Sequence, residues 1–286
     1  MTSWTQQPVG VVGAGTIGVS VAHALARSGT PVVIHDIAPA ALARVHDAIA
    51  DLERLATLRR GRRALADVSV TGDLADLAGV SLVVENVVED PATKVEVHTA
   101  LGRVLPSSTV VAVNTSAVPI ETLGTALGDP RRAVGVHFMN PVALIDTVEV
   151  VGTPSSGEEQ LSTVTGLLRH MGKRPVVVAD RAGFVINRSL MLFVNEAIAT
   201  LDDGVADARK VDQLFRGCLG HRSGPLQTAD LIGLDTVRDT LLVLREHHGE
   251  KFAPAPLLER MVAEGRLGRK SGSGFYDYSR PGGSHA

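Results

Sequence analysis

"VGVVGAGTIGVSVAHALARSG", Val9 to Gly29, is the stretch that decides the fold. A short Val-rich run leads into Gly13-x-Gly15-x-x-Gly18, and an Ala- and Leu-rich helical segment follows. The glycine spacing alone recurs by chance. Its context gives it meaning: it follows a strand, opens a helix, and is followed by Asp36 at the end of the next β-branched run. Gly13 permits a tight turn, Gly15 lets a pyrophosphate approach the backbone, and Gly18 lets helix and strand pack closely. Gly13, Ala14, Gly15, Thr16, Ile17 and Gly18 are therefore the expected cradle of a dinucleotide, with the helix N-terminus facing its phosphates. Asp36 can accept hydrogen bonds from the adenosine ribose hydroxyls and would repel a 2′-phosphate. The neighbouring Ile37 offers no cation, so NAD is expected rather than NADP.

Outward from this stretch the chain keeps one rhythm. Strand candidates lie at 9–13, 31–36, 68–70, 81–86, 109–114 and 133–138, Val-rich on both parities, as strands covered on both faces should be. Helix-length segments separate them. That is an α/β, Rossmann-type doubly wound sheet. After Phe138 the rhythm breaks. Too few residues lie between "AVGVH" and "DTVEVV" for a parallel crossover, so an antiparallel hairpin is added. A helix opened by a Ser155-x-x-Glu158 capping box and closed near Gly172 leads to a last strand at 175–180. From Gly183 only helical patterns remain, near 184–204, 207–219, 229–247 and 256–265. The expected division is a nucleotide-binding domain, 1–181, and an all-α substrate and dimerisation domain, 182–286.

A net charge of −3 gives no basic field for nucleic acid. The single Cys218 excludes an intramolecular disulfide framework and a cysteine-rich metal site. "MTSWTQQP" lacks the form of a signal peptide, and no apolar run reaches the roughly 18 residues that span a bilayer. A cytoplasmic protein without nucleic-acid or membrane partners is expected.

"GVHFMNPVALIDTVEVV", Gly135 to Val151, carries the chemistry. His137 and Glu149 are symmetric about Ala143, the middle of the hairpin connection. Directly opposed residues of such a hairpin have Cβ atoms about 5 Å apart. A carboxylate on one imidazole nitrogen fixes the tautomer and leaves the other as a general base. A nicotinamide enzyme needs that base, because a hydroxyl proton must leave as hydride departs. No metal is needed. A buried, satisfied His–Glu pair without chemistry is the plainer alternative, and the nearby nucleotide motif weighs against it. His247 and His248 adjoin on a polar helix end and are expected to face solvent.

With these residues in view, the chain resembles the L-3-hydroxyacyl-CoA dehydrogenase family, which includes the 3-hydroxybutyryl-CoA dehydrogenases. The matching stretches are "GVVGAGTIG", "VVENVVED", "NTSAVPI", "GVHFMNPV", "DRAGFVINR", "NEAIATLDDGVA", "GPLQTADLIGLD" and "GRLGRKSGSGFYDY", in order over nearly the whole chain. The resemblance implies a catalytic base at His137 with Glu149 as its partner. It implies a contact of Ser116 with substrate hydroxyl and cofactor, and a substrate-oriented amide at Asn187. It also implies NAD contacts at Glu89, Lys94, Asn140 and Lys270. The plainer readings are a helix cap for Ser116, a helix-start hydrogen bond for Asn187, and solvated amines for Lys94 and Lys270. A homodimer through the second domain follows from the resemblance and from the apolar stretches "LMLFV" and "TLLVL".

In one segment the chain departs from the family. The family's CoA-gripping helical hairpin looks shortened, and "LRRGRRALADVSV" stands in its place. Arg59, Arg60, Arg62 and Arg63 put four positive charges within five residues, suited to CoA phosphates or to an acidic acyl carrier protein. Shortened relatives resemble a branch that oxidises a carrier-bound glyceryl thioester in making hydroxymalonyl or methoxymalonyl units for polyketides. The expected substrate is therefore a 3-hydroxyacyl thioester on a carrier protein. The alternatives are 3-hydroxybutyryl-CoA or another 3-hydroxyacyl-CoA, and a non-catalytic NAD-binding structural protein.

Overall fold

Short Val-rich segments and the helices between them build a sheet first. The structure, a computed structural model, describes residues 4–116 and 118–279. The chain divides into two compact units, Met1–Arg181 and Ala182–Ala286. In the first, β1 (Val9–Val12), β2 (Val32–His35), β3 (Val68–Thr71), β4 (Leu82–Glu85), β5 (Val110–Asn114), β6 (Ala133–His137), β7 (Thr147–Gly152) and β8 (Arg174–Ala179) form one sheet. Its order is β3-β2-β1-β4-β5-β6-β7-β8. Every pairing is parallel except β6 with β7. This is the doubly wound, Rossmann-like sheet with an added hairpin.

Helices α1 (Thr16–Arg27), α2 (Pro39–Leu42), α3 (Val45–Arg60), α4 (Pro91–Val104), α5 (Ile120–Ala126) and α6 (Glu158–His170) accompany it. Leu25 of α1, Ile49 of α3 and Leu167 of α6 join Val11, Ile34, Val84, Ala112, Val136 and Val150 in one buried cluster. Val83, Val111 and Val113, of the other strand parity, are buried as well. Both sheet faces are thus covered, which is why these strands lack polar alternation.

The expected capping box at Ser155 does not form. Thr153 Oγ1 accepts the backbone N–H groups of both Ser155 and Ser156 at 3.1 Å, and the Ser155 hydroxyl donates to Glu121. The chain is held in a side-chain turn there, so α6 starts only at Glu158, with Gly157 as its N-cap.

The second unit is helical: α7 (Ile186–Asp202), α8 (Ala208–Leu219), α9 (Pro225–Ile232), α10 (Leu234–His248) and α11 (Pro256–Ala263). The helix expected over 229–247 is two helices. Apolar spacing runs through the junction, but Gly233 sits at φ +102°, a left-handed conformation that breaks the turn. Two buried aspartates fasten the unit. Asp212 accepts the Leu226 and Gln227 N–H groups at 2.9 Å, capping α9, and the Tyr276 hydroxyl at 2.7 Å. Asp230 accepts the N–H groups of Phe275 and Tyr276 at 3.0 Å. The C-terminal "GSGFYDY" segment is thereby bound back onto α8 and α9. His248, expected in solvent, is partly buried because its Nε2–H donates to the Ala182 carbonyl at 3.0 Å.

In the first unit, α1 and α3 are joined by Glu53, which accepts from Arg27, His23 and Thr57. Burial pushes the Glu53 carboxyl up, but these three donors outweigh it and bring it down to about 2 from 4.5. A depressed carboxylate stabilises the fold above its unfolded pKa and stops doing so as pH falls through the folded value. The unaltered protein should therefore lose melting temperature between about pH 4.5 and 2, and Glu53→Gln should flatten that part of the curve. Parallel acid profiles for the two proteins in scanning fluorimetry would show that Glu53 has no such part.

Candidate functional site

Strand ends decide where polar groups collect. In a parallel sheet the loops after β1, β2, β4, β5 and β6 emerge on one edge, and the chemistry-bearing residues follow those strands. The loop after β1 is the glycine turn. A Cβ on Gly18 would lie 1.8 Å from the Gly13 carbonyl oxygen, and one on Gly13 would lie 2.6 Å from the Asn86 carbonyl oxygen. Both glycines are needed for backbone to meet backbone. Gly15 differs: a Cβ there would meet nothing within 4 Å, and the residue is exposed. Gly15 is also the N-cap of α1, with no side-chain cap and no acid in the first turn. Open space above free helix N–H groups is what a pyrophosphate requires. Asp36, after β2, turns its carboxylate onto this loop. Oδ2 accepts the Ala14 N–H at 2.7 Å and Oδ1 accepts the Ala38 N–H at 2.8 Å. The residues present fit a dinucleotide.

The hairpin register places His137 directly opposite Glu149. Glu149 Oε2 lies 2.7 Å from His137 Nδ1, and both residues are buried. The carboxylate can only accept, so Nδ1 carries the proton and Nε2 is left with a lone pair. Ser116, just past β5, sets its Oγ 3.0 Å from Nε2. Serine, imidazole and carboxylate thus form a continuous chain across the ends of three neighbouring strands.

Ser116 is itself held. Glu89 Oε1 accepts its backbone N–H at 2.7 Å and the Thr115 hydroxyl at 2.5 Å. Glu89 Oε2 lies 3.6 Å from Lys94 Nζ. Lys94, on α4, is fully buried rather than solvated: its ammonium donates to Glu85 at 2.9 and 3.1 Å and to the Asn114 carbonyl at 2.9 Å. Burial pushes the Glu85 carboxyl up, and Lys94 pulls it back only in part. One turn along α4, burial pushes the His98 imidazole down to about 4, and its Nε2 sits 3.8 Å from Glu85. Glu85, Thr115 and His98 are residues that sequence reasoning passed over. The available signal was a carboxylate ending an apolar strand, "LVVE", followed by a Lys and a His spaced i, i+4 on the next helix.

Asn140 is exposed on the β6–β7 connection, before Pro141. Asn187 lies in the first turn of α7, partly exposed, and Lys270 ion-pairs with Asp235; both belong to the second unit. The run of arginines is not uniform. Arg60 is paired with Asp146 at 2.7 Å, while Arg59, Arg62 and Arg63 are exposed. Among the described residues there is no group of three or more His, Cys, Asp or Glu that could hold a metal ion, and no helix long and apolar enough to cross a membrane.

Comparison with known proteins agrees with this geometry. Residues 8–181 match the family described as 3-hydroxyacyl-CoA dehydrogenase, NAD binding domain, and residues 183–278 match its C-terminal domain. A Deinococcus radiodurans protein named probable 3-hydroxybutyryl-CoA dehydrogenase is 40% identical over 275 residues, covering 94% of this chain and 99% of that one. The 3-hydroxybutyryl-CoA dehydrogenase of Mycobacterium tuberculosis is 40% identical over 287 residues, covering 95% and 98%. The crystal structure of the (S)-3-hydroxybutyryl-CoA dehydrogenase of Ralstonia eutropha superimposes with a TM-score of 0.91 at 33% identity, covering 96% and 99%.

Because Gly15 has open space and Gly18 has none, the two should respond differently to a methyl group. Gly15→Ala is expected to keep its melting temperature and to bind NAD at least about tenfold more weakly, ~1.4 kcal/mol. Gly18→Ala should lose stability as well, by about 1–3 kcal/mol of overpacking. Calorimetric titration with NAD alongside thermal melts separates the two. Unaltered NAD affinity in Gly15→Ala would mean that the cofactor does not approach that glycine.

Proposed function

This chain belongs to the 3-hydroxyacyl-CoA dehydrogenase family and is an NAD-dependent oxidoreductase acting on a CH–OH group, and we propose that it oxidises a short 3-hydroxyacyl-CoA such as 3-hydroxybutyryl-CoA to the 3-oxoacyl thioester. The observation that carries the reading is the Ser116–His137–Glu149 chain on the edge of a sheet with a dinucleotide loop. His137 Nε2 takes the hydroxyl proton of the substrate. Glu149 keeps the imidazole in the tautomer that can do so and stabilises the imidazolium that forms. The Ser116 hydroxyl donates to the substrate oxygen as it becomes a carbonyl oxygen. NAD, when bound, supplies the acceptor for the hydride. Gly13 to Gly18 would hold its phosphates and Asp36 its ribose, with Glu89 and Asn140 as further contacts. Lys94 acts through Glu85, Glu89 and the Asn114 carbonyl, since its amine is fully buried.

His137→Gln is expected to lose about 10²–10⁴-fold in kcat with NAD affinity nearly unchanged, the usual size of a general-base effect. Stopped-flow NADH formation together with NAD titration reads both. Full turnover in this variant would remove His137 from the reaction.

The expectation of a carrier-bound substrate gives way to the CoA thioester. The relatives above, matched over nearly their full lengths, are named for a CoA substrate, and Arg60 is already paired with Asp146. Exposed Arg59 and Arg62 support the carrier reading as a second possibility. Comparing kcat/KM for one 3-hydroxyacyl group on CoA and on an acyl carrier protein decides between them. The CoA ester should be preferred tenfold or more, on the order of 1.4 kcal/mol. A preference for the carrier-bound form, weakened by salt and by Arg59→Glu/Arg62→Glu, would reverse the assignment.

A further inference from the structure

The ends of α1 and α3, the β6–β7 connection and the turn after α6 converge on a cavity of about 160 Å³ in the first unit. It is lined by His23, Arg27, Arg60, Arg63, His170 and Lys173, among others. Four of these six are cations, and only two carboxylates answer them. Glu53 is shared by Arg27 and His23, and Asp146 is held by Arg60. The backbone N–H of Arg63 donates to Glu53 at 3.5 Å, but among the described residues neither the Arg63 guanidinium nor the Lys173 ammonium has a carboxylate within 4.0 Å. Lys173 is 5% exposed and gives two donors to the carbonyls of Val142 and Ile145, the latter at 2.8 Å, which leaves one. Burial pushes its ammonium down to about 8, with Arg60 adding to the effect and Asp146 opposing it.

Two imidazole nitrogens on this wall are also without partners. His23 is 0% exposed; its Nε2 meets Glu53 at 3.0 Å, and its Nδ1 has no hydrogen-bond partner. The same holds for the buried Nε2 of His170. A buried polar atom left this way is unfavourable by about 1–3 kcal/mol, a cost that a hydrogen-bonding occupant would relieve. Two uncompensated positive charges call for a dianion. The volume is below the roughly 300 Å³ at which drug-sized sites begin, so only a small group enters.

We propose that this cavity binds a phosphate-class dianion through Arg63 and Lys173, with His23 and His170 completing its hydrogen bonds. Hydrogen phosphate suits the set. Its bare oxygens accept from Arg63, Lys173 and the Nε2–H of His170, and its one hydroxyl donates to the lone pair of His23 Nδ1. The group could come from free phosphate or from a phosphomonoester whose remainder stays outside. Either would tie the end of α3 to the β6–β7 connection, whose two strands carry His137 and Glu149. The inference does not depend on which thioester the enzyme oxidises.

The test is calorimetric titration of the full chain with inorganic phosphate, in a phosphate-free buffer held at constant ionic strength with chloride. One site with a Kd of about 1 mM or below is expected. Arg63→Ala should weaken it at least about fivefold, as loss of a charge-assisted contact does. Lys173→Met should act in the same direction but also uncaps two carbonyls, so the exposed Arg63 is the deciding variant. Arg54→Ala, an exposed arginine outside the cavity, should leave the titration unchanged. Adenosine 3′,5′-bisphosphate is the second probe. Tighter binding than inorganic phosphate, with the same Arg63 dependence, supports the site and assigns it to a phosphomonoester; equal or weaker binding supports it as a site for free phosphate. No saturable binding of either probe, or binding indifferent to Arg63→Ala, overturns the proposal.

Discussion

Everything at the reacting edge depends on the direction of one strand. β7 runs against β6, and only that reversal puts a carboxylate beside the imidazole at the strand end. A parallel β7 would have entered from the opposite edge, and its residue beside His137 would be separated from it by a crossover helix. With the hairpin, the contact is a pair of directly opposed residues, 2.7 Å between Nδ1 and Oε2, fixed by backbone register rather than by flexible side chains. The connection that makes the reversal also carries Asn140 and the carbonyls that Lys173 holds. Fold and chemistry are therefore not separable here. A slip of one residue would turn Glu149 to the other sheet face and leave a buried histidine without its partner.

Beneath that edge lies a second constraint, electrostatic rather than topological. Glu85 and Lys94 are both fully buried, a costly arrangement unless hydrogen bonds absorb it. Here they do. Lys94 reaches both oxygens of Glu85 and the Asn114 carbonyl, and Glu85 Oε1 also accepts the Val87 N–H at 2.7 Å. Hydrophobic residues of the same shape would serve stability as well. They would not hold the end of β5, from which Thr115 and Ser116 project toward Glu89 and His137. His98, driven down to about 4 by burial, stays neutral beside the pair and adds no third charge. The network's return is position: the serine hydroxyl is aimed by a rigid strand end.

Much of this was legible in the sequence because it is local. The glycine turn, Asp36 at the end of β2, and the symmetric His137 and Glu149 are patterns within a few dozen residues, and strand periodicity sets their register. What was not legible is pairing at a distance. Arg60 finds Asp146 across 86 positions, which neutralises one member of the arginine run while leaving it at the surface. Lys94, expected from the resemblance to touch NAD and otherwise to be solvated, is buried once β4 and β5 are brought together over it. The misread helix boundaries have local causes of a subtler kind. Thr153 outcompetes Ser155 for the backbone, and Gly233 interrupts a pattern whose apolar spacing never falters. In each case a single side chain or a single φ angle overrides a periodicity that averages over many residues.

Counting lone pairs on Asp36 gives a physical reason for the NAD of this family. An ionised carboxylate offers about four acceptor positions. Two are used by the Ala14 and Ala38 N–H groups, at 2.7 and 2.8 Å, which lock the carboxylate against the glycine loop. Two remain for a vicinal pair of ribose hydroxyls, each of which brings a proton to donate. A 2′-phosphate would bring no such proton and two negative charges to a carboxylate that cannot swing away. Relief would require a cation nearby, and the next residue, Ile37, is 88% exposed and apolar. The same two backbone bonds that shape the loop would thus also favour NAD over NADP.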